Sequence, residues 1–263
     1  MSTESDNQFQ IDQLNQRGGR ALSIIDLIKA GTLSAEMAAL CGQVVRGGGP
    51  YLTGAVPGGA GKTTLMAALL AFLPPGERIV TVADRSAMDT ALAGRIPLPA
   101  TLLAHEIGAG RWFGYIWGRD AADFFRLARS GLRAVTCLHA DTPEQAWGIL
   151  GPLGVAREDF DAVRLQLFMQ VTTRAGRALH RVSLLCLRID GAPQPVYAWR
   201  PEGDRHELLQ PREAVCRALA EAASTSPKAE NAAWRERQAF LESLLRAGTF
   251  LYEDVRARLL ASG

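Results

Sequence analysis

Hydrophobic positions recur along this chain first at helical spacing and then at strand spacing, and each change of period marks an element. In ALSIIDLIKAG, Leu22, Ile25, Leu27 and Ile28 share one helical face and Gly31 stops the run. Ser34 then caps a second helix, with Glu36 in its first turn and Gly47-Gly48-Gly49-Pro50 closing it. From Tyr51 the pattern becomes strand, glycine-rich loop, apolar helix over 64–72, proline turn and a β-branched strand over 78–83. Further strands are predicted over 100–107, 112–117, 134–138, 165–172 and 182–189, and AADFFRLARSG reads as a helix closed by Gly131. Beyond residue 200, AVCRALAEAA and the run 234–260 have helical periodicity and are joined by the polar loop STSPKAEN. Strands alternating with helices predict an α/β fold with a mostly parallel sheet. Three regions are expected: a flexible, polar N-terminal arm over 1–20 ending in Arg17-Gly18-Gly19-Arg20, a core with two leading helices over 21–200, and a small helical C-terminal region over 201–263.

Composition narrows the function. With 263 residues, 48% hydrophobic and 21% charged, the chain can bury a substantial core. A net charge of +2 without a basic block argues against a dedicated nucleic-acid binder, so no direct nucleic-acid partner is expected. No apolar run approaches the roughly 20 residues of a membrane span. The polar start MSTESDNQFQ also lacks the order of a signal peptide, so a cytoplasmic location without membrane insertion is expected. Cys41, Cys137, Cys186 and Cys216 lie far apart with no CxxC pair, which suits buried free thiols. His105, His139, His180 and His206 are equally scattered, and His105-Glu106 is not a zinc signature because Ala109 stands where HExxH needs its second histidine.

The chemistry concentrates in YLTGAVPGGAGKTT, between a predicted strand and a predicted helix. Gly58, Gly59, Ala60 and Gly61 allow backbone N–H groups to turn inward around a polyphosphate, and the start of the helix at Lys62, Thr63 and Thr64 adds its positive end. Lys62 would reach the β- and γ-phosphates, and the Thr63 hydroxyl would bind Mg²⁺. Only three lysines, Lys29, Lys62 and Lys228, stand among 29 basic residues, yet position 62 is lysine. A compact ammonium fits inside a ring of amides and a planar guanidinium does not. The full pattern GxxxxGK[ST] asks for glycine where Val56 stands, so either the loop enters with one extra residue from Gly54 or its first turn has another shape.

On these residues the chain resembles the type II/type IV secretion ATPase superfamily, closest to its pilus-assembly branch. The likeness runs through DLIKAGTLSAEMAAL, the phosphate loop and GERIVTVAD, then SGLRAVTCLHADTPEQA, which is similar to that family's His box. HRVSLLCLRIDGAPQPVYAW is similar to its closing core strands, and RQAFLESLLRAGTFLYEDVRARLLASG to its helical end. The resemblance implies a RecA-like P-loop core that binds ATP and Mg²⁺ and hydrolyses ATP as a homo-oligomeric ring, usually a hexamer. It also implies a membrane-platform, pilus or secretion partner that would hold the protein peripherally at the inner membrane. Asp84 falls in the Asp box, where Ala83 replaces a second acid, and His139 falls where the family senses the γ-phosphate.

The acidic group for water activation has two placements. One aligns Trp117-Gly118-Arg119-Asp120 with the family's Walker B segment and puts Trp117 at the catalytic position; the other supplies Glu106 after the apolar run Leu102-Leu103-Ala104-His105. Glu106 is the favoured one, because a carboxylate at the C-terminal end of a core strand faces the crevice of an open α/β sheet. Asp84, Glu106 and His139 are the candidate catalytic residues. Arg119, Arg126, Arg129 and Arg133 gather near one predicted helix; they form either a solvated face or fingers for a neighbouring subunit, with Arg119 or Arg133 the foremost candidates to cross. Trp112, Phe113, Tyr115 and Trp117 alternate as packing residues of a strand would. Val56, Ala83 and Trp117, as departures from the family pattern, leave a non-hydrolysing nucleotide-binding ring subunit as the alternative function.

Overall fold

A computed structural model describes residues 2–15, 18–110 and 112–262 of the chain. Arg17 of the expected arm and Arg111, which opens the RWFGYIWG segment, lie outside the described residues. In chain order the elements are α1 (Thr3–Leu14), α2 (Ile24–Lys29), α3 (Ala35–Arg46), β1 (Tyr51–Gly54), α4 (Lys62–Leu70), β2 (Arg78–Thr81), α5 (Arg85–Leu92) and β3 (Ala100–Leu103). There follow β4 (Glu106–Ile107), β5 (Tyr115–Ile116), α6 (Arg119–Leu127), β6 (Arg133–Leu138), α7 (Pro143–Leu150), α8 (Arg157–Asp161), β7 (Leu165–Arg174) and β8 (Arg177–Ile189). The chain closes with β9 (Ala192–Arg200), β10 (Arg205–Leu208), α9 (Arg212–Ala223), α10 (Pro227–Ala247) and α11 (Tyr252–Ala261).

One sheet organises the molecule. Its parallel strands lie in the order β7-β1-β6-β3-β2, and β8, β9 and β10 extend it antiparallel from β7. The chain leaves β1 toward β2 on one side and reaches β7 on the other, so β1 stands at a switch point, where open α/β sheets bind ligands beyond the strands' C-terminal ends. Alternation along β1 divides the interior: Tyr51 packs with α3 and α4 on one face, and Leu52 packs with α6 and α7 on the other. The expected α/β fold with a mostly parallel P-loop core is therefore the one formed.

Sequence periodicity located the two leading helices well, because their caps are local. Ser23 and Asp26 form a reciprocal capping box on α2, and the Ser34 side chain accepts from Met37 N on α3. Elsewhere the expectations need correction. Residues 3–14 of the expected loose arm are a helix, α1, whose Ile11 and Leu14 belong to the core. The expected strand 100–107 breaks after Leu103, and of 112–117 only Tyr115 and Ile116 are strand. Trp112 and Trp117 are exposed rather than packed, and Phe113, more than half exposed, touches only the edge of the buried His105 ring. The sheet also runs past residue 200 to β10, and the polar loop before α10 is shorter than STSPKAEN, since Ser226 caps a helix that Pro227 opens.

Candidate functional site

The phosphate loop joins β1 to α4 at the C-terminal edge of the sheet, and its geometry follows from a few positions. Gly61 has φ +99°, a left-handed turn that lets the chain enter α4 at Lys62. Gly54 has a different reason: a Cβ there would stand 2.4 Å from the Ala140 carbonyl oxygen and 2.6 Å from Phe168. Gly54 thus serves sheet packing and not an extended loop entry. Val56 has no left-handed backbone, so no glycine is needed at that place. Its N–H donates to Asp141 Oδ1 at 2.8 Å, and its carbonyl meets His139 Nδ1 at 2.8 Å. Farther along the loop, the Ala60 carbonyl meets His180 Nδ1 at 3.0 Å. From inside, the Thr53 hydroxyl donates to the Lys62 carbonyl at 3.1 Å.

Glu106 and His139 reach this loop from neighbouring strands. β6 runs beside β1 and ends at Leu138, which places His139 at the strand terminus. β4 pairs with the end of β6 through Ile107 and Leu138, which brings Glu106 to the same edge. His139 Nε2 lies 3.2 Å from Glu106 Oε1, Lys62 Nζ lies 4.0 Å from Glu106 Oε2, and Lys62 Nζ lies 3.4 Å from His139 Nδ1. Lys62 and Glu106 are largely buried, whereas His139 is open to solvent. Burial first, and then the Glu106 charge, raise the Tyr115 phenol above its usual pKa. The same two causes push the Cys137 thiol up to about 12, so it stays protonated and donates to the His105 carbonyl at 2.9 Å.

Glu106, Tyr115 and His139 line one cavity of about 500 Å³, together with Gly58 to Thr64 and part of the N-terminal segment. Of the expected site residues, Gly58, Gly59, Ala60, Gly61, Lys62, Thr63, Thr64, Glu106 and His139 all border it. Asp84 does not. Its carboxylate caps α5 by accepting from Ala87 N at 2.9 Å, and it lies exposed outside the cavity wall. Trp117 is likewise outside, and Glu106 is the carboxylate of the described residues that borders the cavity. The Thr63 hydroxyl is an oxygen donor at this wall, 4.0 Å from Cys137 Sγ. No group of three or more His, Cys, Asp or Glu side chains among the described residues could hold a metal ion by itself. A single hydroxyl suits Mg²⁺, which usually keeps waters and takes substrate phosphates as its other ligands.

Three arginines of the expected cluster are committed to acids. Arg133 is buried against Glu77 at 3.1 Å and cannot reach another subunit. Arg126 binds Asp123 at 2.7 Å and Arg129 binds Asp159 at 3.2 Å. Arg126 and Arg129 nevertheless stay more than half exposed, and Arg119 is the most exposed of the four, with only a 3.8 Å approach to Asp123. Sequence reasoning passed over Asp141, His180, Tyr115 and the N-terminal wall. Asp141 had a visible signal, two residues after His139 on the crevice side; His180 had none, because only the pairing of β8 with β7 brings it to the loop.

No known protein family matches the chain, and no curated protein sequence matches it significantly. Among solved structures it is similar to the ATPase DotB of Yersinia pseudotuberculosis, with TM-score 0.44 and 11% identity over 90% of this chain and 63% of that one. DotB of Legionella pneumophila gives TM-score 0.43 and 11% identity, covering 93% and 67%. The VirB11 ATPase from the Brucella suis type IV secretion system, solved with sulphate, gives 0.39 and 17%, covering 68% and 55%. The chain thus spans 63% of the length of the Yersinia protein.

Proposed function

We propose that this protein binds a nucleoside triphosphate, taken as ATP, with Mg²⁺ in the loop cavity and hydrolyses it. The observation that carries the reading is the convergence of Lys62, Glu106 and His139 within 4.0 Å of one another on a glycine-rich strand-to-helix loop. Without phosphate, the Lys62 ammonium has Glu106 as its anionic neighbour; a polyphosphate would take the ammonium and release the carboxylate to orient and polarise an attacking water. Mg²⁺, held by Thr63 and the phosphates, would neutralise charge on the transferred group. His139, hydrogen-bonded to the loop at Val56 and facing Glu106, is placed to register whether the γ-phosphate is present. Asp84 caps its helix and has no part in this chemistry. The sequence resemblance extends the reading to a motor that works as a homo-oligomeric ring, a hexamer by that likeness, on a secretion or pilus machine at the inner membrane.

A second reading, a nucleotide-binding ring subunit without hydrolysis, is favoured by one observation. Glu106 is engaged by His139, Lys62 and the Cys137 thiol, and no other carboxylate of the described residues lines the cavity. Glu106→Gln separates the two readings. A hydrolase loses turnover by about two orders of magnitude or more in a phosphate-release assay while nucleotide affinity is kept. An unchanged rate, or no measurable rate in the unaltered protein, supports the second reading.

A further inference from the structure

A second cavity, of about 410 Å³, opens between α9 and α10 and shares no lining residue with the phosphate-loop cavity. Only residues 224–226 separate the two helices, so they run antiparallel, and the start of α9 meets α10 where Arg212 Nε donates to Asn231 Oδ1 at 2.8 Å. One wall is fixed. The Arg212 guanidinium also binds Glu36 of α3 and lies 3.9 Å over the Trp234 ring, so its charge is already matched. Lys228, Asn231 and Arg235 share one face of α10 at i, i+3 and i+7, and Arg217 joins them on the lining from α9. Arg217, Lys228 and Arg235 are exposed and, among the described residues, form no ion pair with a carboxylate. Glu213 is the acid of the described residues on this lining, which leaves a surplus of two positive charges. The rest of the lining is uncharged. Cys216 is buried, and burial holds its thiol above its usual pKa, while Pro227 and the aliphatic stems of the basic side chains add carbon.

We infer that the cavity between α9 and α10 binds a phosphate monoester with a compact apolar body, held by Arg217, Lys228 and Arg235. The inference is independent of the nucleotide reading of the loop. A phosphate monoester carries a charge of about −1.5 to −2 near neutral pH, which matches the surplus of two cations. A carboxylate or a phosphodiester brings a single negative charge and leaves part of that surplus unanswered. The terminal oxygens of the monoester can accept from the planar forks of Arg217 and Arg235, with Lys228 as a point charge beside them. Arg212, already matched by Glu36, positions Asn231 and shapes the wall. A volume of about 410 Å³ is that of a small-molecule site rather than a surface for a folded partner. The uncharged lining at Cys216 and Pro227 then receives the carbon body, whose burial adds to affinity.

Calorimetric titration of phenyl phosphate into the full chain carrying Lys62→Ala, whose phosphate loop lacks its ammonium, tests this. One saturable site per chain is expected, weakening as salt rises. Adding Lys228→Gln and Arg235→Gln, both at exposed positions whose change hollows no core, should weaken binding by about tenfold or more. Inorganic phosphate and phenol should each bind about tenfold more weakly than phenyl phosphate, since each lacks one half of the ligand. Absence of saturable binding, or an affinity that the two substitutions leave unchanged, overturns the site. Inorganic phosphate binding as tightly as the ester overturns the apolar body, and a glutamate-rich peptide that binds where phenyl phosphate does not overturns the ligand class. Sedimentation with phosphatidylcholine vesicles containing phosphatidic acid separates the sources of the monoester. Pelleting that the two substitutions abolish supports a lipid headgroup; phenyl phosphate binding without pelleting supports a soluble ester. With Lys62 intact, Lys228→Gln and Arg235→Gln should leave ATP affinity as in the unaltered protein, so the phosphate-loop reading stands or falls separately.

Discussion

His105 is buried directly beside the candidate acid, and neither of its ring nitrogens has a hydrogen-bond partner among the described residues. Its ring stacks edge-on to Phe113 at 5.3 Å, and burial lowers its pKa from 6.5 to about 4. The neutral imidazole is therefore the folded form. Because the folded pKa is depressed, the contribution is fully present above pH 6.5 and is lost as the pH falls toward 4, when the unfolded chain takes up a proton that the fold refuses. The full effect is on the order of 3 kcal/mol. His105→Leu should abolish this component: thermal unfolding compared at about pH 7 and about pH 5 should show a smaller drop in Tm for the variant than for the unaltered protein. An equal drop in both would assign the acid sensitivity to other groups.

At the level of elements, charged side chains that sequence alone would send to the surface join helix to helix and strand to strand. Arg85, the first residue of α5, binds Asp120 at 2.6 Å and Asp123 at 2.8 Å on α6, so the segment after Asp84 is a structural joint. Arg133 at the start of β6 binds Glu77 just before β2, and Thr101 on the intervening β3 donates to the same carboxylate at 2.6 Å. This buried group ties three neighbouring strands together below the site. Arg133→Ala would leave a buried carboxylate with the Thr101 hydroxyl and no opposite charge, and should cost about 3–5 kcal/mol in urea unfolding. Arg133→Ala combined with Glu77→Ala should recover part of that loss, since no buried charge remains uncompensated. A single variant within about 0.5 kcal/mol of the unaltered protein would refute the strand-tie role.

Over the whole molecule, the two ends of the chain close on each other. Leu22 and Leu251 form an isolated antiparallel bridge, Arg256 reaches both Glu4 and the Ala71 carbonyl, and Trp234 of α10 donates to the Glu36 carbonyl of α3 at 2.8 Å. Arg212 lies over the Trp234 ring at 3.9 Å and binds Glu36, which fastens the C-terminal helices to the leading ones. If the protein works as a ring, the cation that a neighbour supplies must come from outside these closed networks. Arg119, the most exposed member of its cluster and the one with the longest approach to an acid, is the candidate for this. The expected outcome is nucleotide-driven assembly, with hydrolysis per chain rising with protein concentration and Arg119→Ala lowering it. Sedimentation with and without a non-hydrolysable analogue, alongside the concentration series, checks this; a strict monomer with constant specific activity would refute it. Among the described residues no helix is long and apolar enough to cross a membrane.

The sequence determined what short-range chemistry can encode. The strand-to-helix turn from Gly58 to Thr64 was legible because the backbone freedom of glycine, which lets the chain enter α4 at Lys62, is a local property. The caps at Ser23 and Ser34 were legible because their hydrogen bonds close within three residues. Glu106 and His139 could be placed at strand ends, yet their meeting with Lys62 depends on the order of β1, β6 and β4, which no local pattern carries. The N-terminal segment shows the limit most plainly. Its helix has almost no apolar stripe of its own, so composition suggested a loose arm; it is ordered because the open edge of β2 needs partners that Asn7 supplies from 70 or more positions away. Tertiary structure likewise put Glu106 at the cavity and left Asp84 and Trp117 outside it, and it buried Arg133 while leaving Arg119 exposed. A charged side chain's role is set by which opposite charge the fold places within reach, and that distance is not written in the neighbouring residues.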